Sequence, residues 1–166
     1  MTATVFYNTH DSVEVGPDWY EKLKRHAYES ESKRARLCLH HGPGEMVHEM
    51  IIVFHRATIS RPHRHQGKTE SYHVIFGELD ILLFDEDGRP TCLVPMGDFA
   101  SGKTQVYRMS SQIWHSVIIR SEYAAVHEVT NGPFRPEESE FASWAPEDAS
   151  SLRAFLDRSA KSLSQA

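Results

Sequence analysis

With 166 residues, 40% of them apolar and a quarter charged, the chain has an ordinary globular composition and the length of one domain rather than two. A net charge of -5 argues against a nucleic-acid groove, and the longest apolar run, Met50–Phe54, falls far below the ~20 residues of a bilayer crossing. Cys38 and Cys92, without a CxxC, read as two reduced, buried thiols of a cytoplasmic protein, and Met1–Phe6 lacks the regions of a signal peptide.

Pro17–Ala27 reads as a helix: Pro17 and Asp18 suit its first turn, and Trp19, Leu23 and Ala27 share a stripe. Ser32–Cys38 follows, with Arg34 and Arg36 on one face if the segment is extended. His40-His41-Gly42-Pro43-Gly44 breaks the chain. Neighbouring strand residues point to opposite faces, so this histidine pair reads as a loop touching water or substrate and not as a second metal site. Met46–Ile59 is a long strand candidate in which His48 and His55 face opposite ways, and Arg61-Pro62 imposes extended geometry on what comes next.

On an extended strand His63 and His65 present their rings to the same side. Gln66-Gly67-Lys68-Thr69 turns the chain, and Glu70 opens a strand running to Gly77, where the missing Cβ permits a tight turn. Two imidazoles and one carboxylate on a shared face suit a divalent transition metal, and His115, within the β-branched run Trp114–Ile119, is a candidate further ligand. Tyr72 and Val74 share parity with Glu70 and should face inward, opposite to Ser71, His73 and Ile75.

Glu78–Phe84 and Thr91–Val94 flank an Asp-Gly hairpin at Asp85–Gly88, and Pro95–Gly102 reads as a loop. Gln105–Met109, Trp114–Ile119 and Tyr123–Val129 complete the strands, the last closed by Asn131-Gly132-Pro133. Many short strands joined by turn residues predict an all-β barrel or sandwich. Phe134–Trp144 reads as an irregular wrap. Pro146-Glu147-Asp148 then opens a terminal helix with Leu152, Phe155, Leu156 and Leu163 in a stripe and a fraying end at 164–166. The divisions expected are 1–33 (N-terminal segment and helix), 34–132 (barrel) and 133–166 (C-terminal wrap and helix).

The run His63-x-His65-x4-Glu70-x6-Gly77 resembles the first motif of the cupin superfamily, and His115 stands where that superfamily's second motif has its histidine. Two positions depart from the pattern: Ser110-Ser111-Gln112 replaces a Pro-x-Gly, and Ala57 replaces a glycine. A narrower resemblance, to the WbuC-family cupin metalloproteins encoded near bacterial surface-polysaccharide genes, rests on several stretches. They are Arg34-x-Arg36 with His40, Arg61-Pro62-His63-Arg64-His65, Trp114-His115-Ser116, His127-Glu128, Asn131-Gly132-Pro133-Phe134 and Phe141–Glu147. The resemblance implies a cupin-type jelly-roll β-barrel with flanking N- and C-terminal helices, one metal held by His63, His65, Glu70 and His115, and a connection with lipopolysaccharide or O-antigen biosynthesis.

Zinc, iron, manganese and nickel all accept three histidines and a carboxylate, and an octahedral ion so held keeps two open positions. The expected partner is a small molecule, sugar-derived or a nucleotide sugar, with no nucleic acid and no membrane. Arg34, Arg36 and Arg64 are candidates to receive its carboxylate or phosphate, and His40, Tyr72 and Glu128 are candidate proton carriers. Three functions remain open at this point. They are metal-assisted isomerisation, epimerisation or oxidation; a non-catalytic binding module; and a metal-free isomerase using His63 and His65 as acid and base. Sheet edges and outer faces that need cover suggest a homodimer.

Overall fold

A computed structural model describes residues 3–110 and 112–164. Ser111, in the stretch that replaces Pro-x-Gly, and Gln165 and Ala166, in the end expected to fray, lie outside the described residues. Two sheets face each other and each carries a helix on its outer side. The first sheet is built from β1 (Val5–Tyr7), β2 (Arg34–Cys38), β3 (Val47–His55), β10 (Tyr123–Asn131), β5 (Glu70–Phe76) and β8 (Val106–Met109), in that spatial order. The second has the order β11 (Ser139–Phe141), β4 (His63–His65), β9 (Trp114–Ile119), β6 (Glu78–Phe84), β7 (Pro90–Gly97). Only β1 and β2 run parallel; every other pair of named strands is antiparallel. The order fits a jelly-roll sandwich, as the all-β reading anticipates.

Period-two alternation assigns each strand residue to one of three layers. Met50, Ile52, Tyr72, Val74, Leu79, Ile81, Val117 and Val126 meet between the sheets. Alternate residues Ala35, Leu37, Ile51, Val53 and Ala125 face outward, where α1 (Pro17–Glu29) lays Leu23 and Ala27 on them. On the other side Leu82, Phe84, Trp114 and Ile118 lie under Leu152, Leu156 and Ala160 of α2 (Ala149–Ser164). Tyr72 and Val74 point inward and Ile75 packs in the layer beneath α1, so the parity read along β5 holds. The chain's own helices thus cover part of the outer faces, α1 over β2 and β3 and α2 over β7, while the outer face at His73 and Val106 stays exposed.

Several local expectations need correction. The strand placed at Met46–Ile59 ends at His55, whose carbonyl accepts from Thr58 N at 2.8 Å and closes a turn. Pro95–Gly97 belongs to β7 and not to a loop. Because β7 is a sheet edge, the missing N–H of Pro95 leaves no ladder bond unmade. The C-terminal wrap contributes a strand, β11, which pairs with β4 through Ser139↔His65 and Phe141↔His63. Cys38 is buried, but Cys92 is exposed on β7. Gln112 takes the left-handed conformation, φ 71°, where the superfamily's motif places glycine, and its N–H donates to the His65 carbonyl at 3.2 Å. No described helix is long and apolar enough to cross a membrane.

Candidate metal centre

Strand β4 is three residues long because Pro62 sets it extended and the 66–69 turn ends it, and its alternation sends His63 and His65 inward together. Antiparallel pairing places His115 of β9 opposite His63, and the two ring centroids are 4.4 Å apart. One nitrogen from each of His63, His65 and His115 falls within 4.8 Å of the others. Glu70, the first residue of β5, reaches across from the facing sheet: its Oε1 is 3.4 Å from His65 Nε2 and its Oε2 is 3.2 Å from His115 Nε2.

The remaining ring nitrogens are tied down. His63 Nδ1 lies 2.8 Å from the Arg61 carbonyl, His115 Nδ1 2.9 Å from the Ile113 carbonyl, and His65 Nδ1 2.9 Å from Ser139 Oγ. A carbonyl can only accept, so Nδ1 of His63 and His115 carries the proton and Nε2 is left with its lone pair. This is the outer support that metal-ligating imidazoles have. His115 Nε2 is buried and makes no aligned hydrogen bond despite its closeness to Glu70.

Burial, reinforced by the neighbouring His115, pushes His63 down to about 3, so it is neutral at physiological pH. His65 is lowered for the same first reason. Burial alone would raise Glu70, but the contact with His115 and the other two histidines outweigh it and the carboxylate is favoured. The same contact raises His115 against its burial. Neutral imidazoles at His63 and His65, a fixed tautomer, an unpartnered buried His115 Nε2 and one carboxylate form a donor set that fits a first-row divalent ion.

The centre opens into a cavity of about 550 Å³ between the sheets, within the range of small-molecule sites. Its walls carry Arg34 and Arg36 from β2, Tyr72 from β5 and Glu128 from β10, with His40 from the loop after β2. Glu128 stands opposite Tyr72 in the ladder. Protein encloses Glu128 while its carboxyl faces the cavity, and burial together with the Glu70 charge lifts it to about 8. Tyr72 rises well above its ordinary value through burial and the Glu128 carboxyl.

Arg64 is placed elsewhere. The parity that sends His63 and His65 inward sends Arg64 out through the back of β4. There Nε meets Glu140 at 2.7 Å, Nη1 meets Glu86 at 2.9 Å, and the guanidinium lies 4.3 Å from the centre of the Trp114 ring. His40 and His48 stack at 4.1 Å on the cavity wall, so His48 is the one of the two oppositely facing histidines of β3 that belongs to the site's surroundings. Ser139 escaped sequence reasoning entirely. Nothing in a three-residue strand within an irregular stretch marks it as the partner of His65.

A family description, Domain of unknown function (DUF6016), matches residues 17–94. No curated protein matches the chain. Among solved structures, protein SO0799 from Shewanella oneidensis superposes with a TM-score of 0.51 at 14% identity, over 73% of this chain and 74% of that one. SPY1581 from Streptococcus pyogenes, described as of unknown function, gives 0.51 at 10% identity over 78% and 96%. CapF, solved with the inhibitor 3-isopropenyl-tropolone, gives 0.52 at 14% identity over 68% of this chain and 32% of its own. Identities this low speak to the fold, and together with the two-sheet order they establish that the chain has the cupin fold.

Proposed function

We propose that the protein is a metal-dependent cupin in which His63, His65, Glu70 and His115 hold one divalent transition-metal ion facing a cavity that receives a small, oxygen-rich molecule. The observation that carries this reading is the convergence of three imidazoles, with His115 Nε2 buried and unpartnered. Such an ion would act as a Lewis acid on a carbonyl or a pair of hydroxyls of the bound molecule. The inhibitor bound by CapF is a tropolone, a ring with two adjacent oxygens, which supports chelation as the mode of binding here.

The chain's own groups supply the rest. Glu128, held protonated near neutral pH, can give a proton, and Tyr72 stays a phenol beside it. Isomerisation, epimerisation or oxidation of a sugar or nucleotide sugar fits such groups, and the WbuC resemblance supports a place in surface-polysaccharide biosynthesis. Metal analysis of untagged protein separates this reading from a metal-free isomerase using His63 and His65. Incubation with nucleotide sugars separates an enzyme from a binding module: products detected by mass spectrometry, and lost in Glu128→Gln, would support turnover. Saturable binding without any product would favour the module.

A further inference from the structure

We infer that Arg34 and Arg36 form an anion-binding wall of the cavity, so that its ligand carries a carboxylate or phosphate group in addition to metal-chelating oxygens. The inference deepens the metal-centred reading above and rests on it for the chelating end alone.

Arg34, Arg36 and Cys38 share the inward parity of β2, while Ala35 and Leu37 turn outward under α1. Both guanidinium groups therefore face the cavity that holds the histidines. The other cations on its walls are already engaged. Arg61 donates to the carbonyls of Ala142 and Ala145 at 3.0 and 3.4 Å. Lys68 reaches the Pro133 carbonyl at 3.4 Å and Glu138 at 3.7 Å. Among the described residues, Arg34 and Arg36 make no ion pair and no side-chain hydrogen bond.

Two like charges two residues apart on one strand, roughly 7 Å by strand rise, repel each other. Surrounding protein, then the Arg36 charge, holds Arg34 below its usual value even though water reaches it through the mouth. Glu128 on β10 stands opposite Tyr72 in the ladder and forms no ion pair with either arginine among the described residues, so it does not occupy their donors. Two unneutralised guanidinium groups with five planar donors each are matched by an oxyanion that accepts from both. Carboxylate and phosphate share this chemistry, and β10 between β2 and β5 sets Glu128 on the strand between the arginines and Glu70.

The test titrates the full-length, metal-containing protein with three separate small molecules and follows arginine Nε–Hε resonances by NMR, with calorimetry alongside. Inorganic phosphate and benzoate report on the wall, and tropolone reports on the metal. Saturable shifts of the Arg34 and Arg36 signals are expected with at least one anion. Its dissociation constant should rise at least tenfold in Arg34→Gln or Arg36→Gln and change less than twofold in His63→Ala. The tighter of the two anions identifies the ligand group. Tropolone should behave in the opposite way, losing binding in His63→Ala and keeping it in both arginine variants. If neither anion shifts the two signals, or if anion binding survives both arginine substitutions, the wall is refuted and the metal reading stands. If wild-type protein binds an anion through the arginines but not tropolone, the metal reading fails and the wall stands.

Discussion

Replacing Gly77 with alanine tests how the connection after β5 holds the two sheets in register. Gly77 has φ +79°, and a Cβ there would sit 2.3 Å from the Tyr123 carbonyl oxygen, 2.6 Å from Ser121 Oγ and 2.9 Å from Ala124 Cα. Two of these are backbone atoms at the start of β10, the strand that carries Glu128, and they would have to retreat by about 1 Å to reach ordinary contact distance. The left-handed conformation costs an alanine about 1–2 kcal/mol. Forcing atoms into packed structure typically adds about 1–3 kcal/mol. The sum is about 2–5 kcal/mol, which at about 2–4 °C per kcal/mol for a domain of this size lowers Tm by roughly 10 °C. Gly67 is the internal control: its φ is +69° but nothing lies within 4 Å of an added Cβ. Gly67→Ala should lose only the conformational part, about 1 kcal/mol. Calorimetric melting of the two variants side by side decides the matter. Equal losses would show that the contact with β10 is not what excludes a side chain at Gly77.

Other expectations follow from the same geometry. In metal-stripped protein, Glu128 has a folded value of about 8, above its unfolded one, so its contribution is best below about pH 4.5 and is lost as pH rises toward 8. Urea unfolding should show stability falling by on the order of a few kcal/mol across that window, and Glu128→Gln should flatten the slope; an unchanged slope would remove Glu128 as its source. Ser139→Ala takes away the partner of His65 Nδ1, so competition with a fluorescent chelator should show metal affinity reduced about tenfold with the fold intact. Unaltered affinity would mean that Ser139 does not orient the ring. Leu156→Ala opens a hole beneath α2 where the side chain is 3% exposed and should cost about 2–5 kcal/mol without changing metal content.

What the sequence makes legible is local parity, and what it hides is pairing between distant short strands. His63, His65, Glu70, Tyr72 and Val74 all fall where strand alternation sends them, because one buried face fixes the register of β4 and β5. The same rule, applied to Arg64, already points it away from the cavity. Neither β1 nor β11 carries an alternating pattern of its own. Each is three residues long and becomes a strand because β2 and β4 offer an unpaired edge. Ser139 and Phe141 enter the surroundings of the metal histidines by that route. Gln112 shows a second limit, since a left-handed position without glycine leaves no mark in the sequence. Cys92 shows a third: a cysteine on an edge strand takes the exposure of its face, whatever the general tendency of thiols to be buried.

The proposed metal centre requires that His63, His65, Glu70 and His115 bind one ion together. Untagged wild-type protein and the variants His63→Ala, Glu70→Ala, His115→Ala, His41→Ala and His55→Ala should be purified in parallel and their metal content measured by plasma mass spectrometry, with circular dichroism to verify folding. About one equivalent of a divalent transition metal is expected in the wild type and in the His41 and His55 variants, and little in the three ligand variants, since removing a donor from a four-donor set weakens retention steeply. Wild-type metal content in folded His63→Ala and His115→Ala proteins would contradict the account.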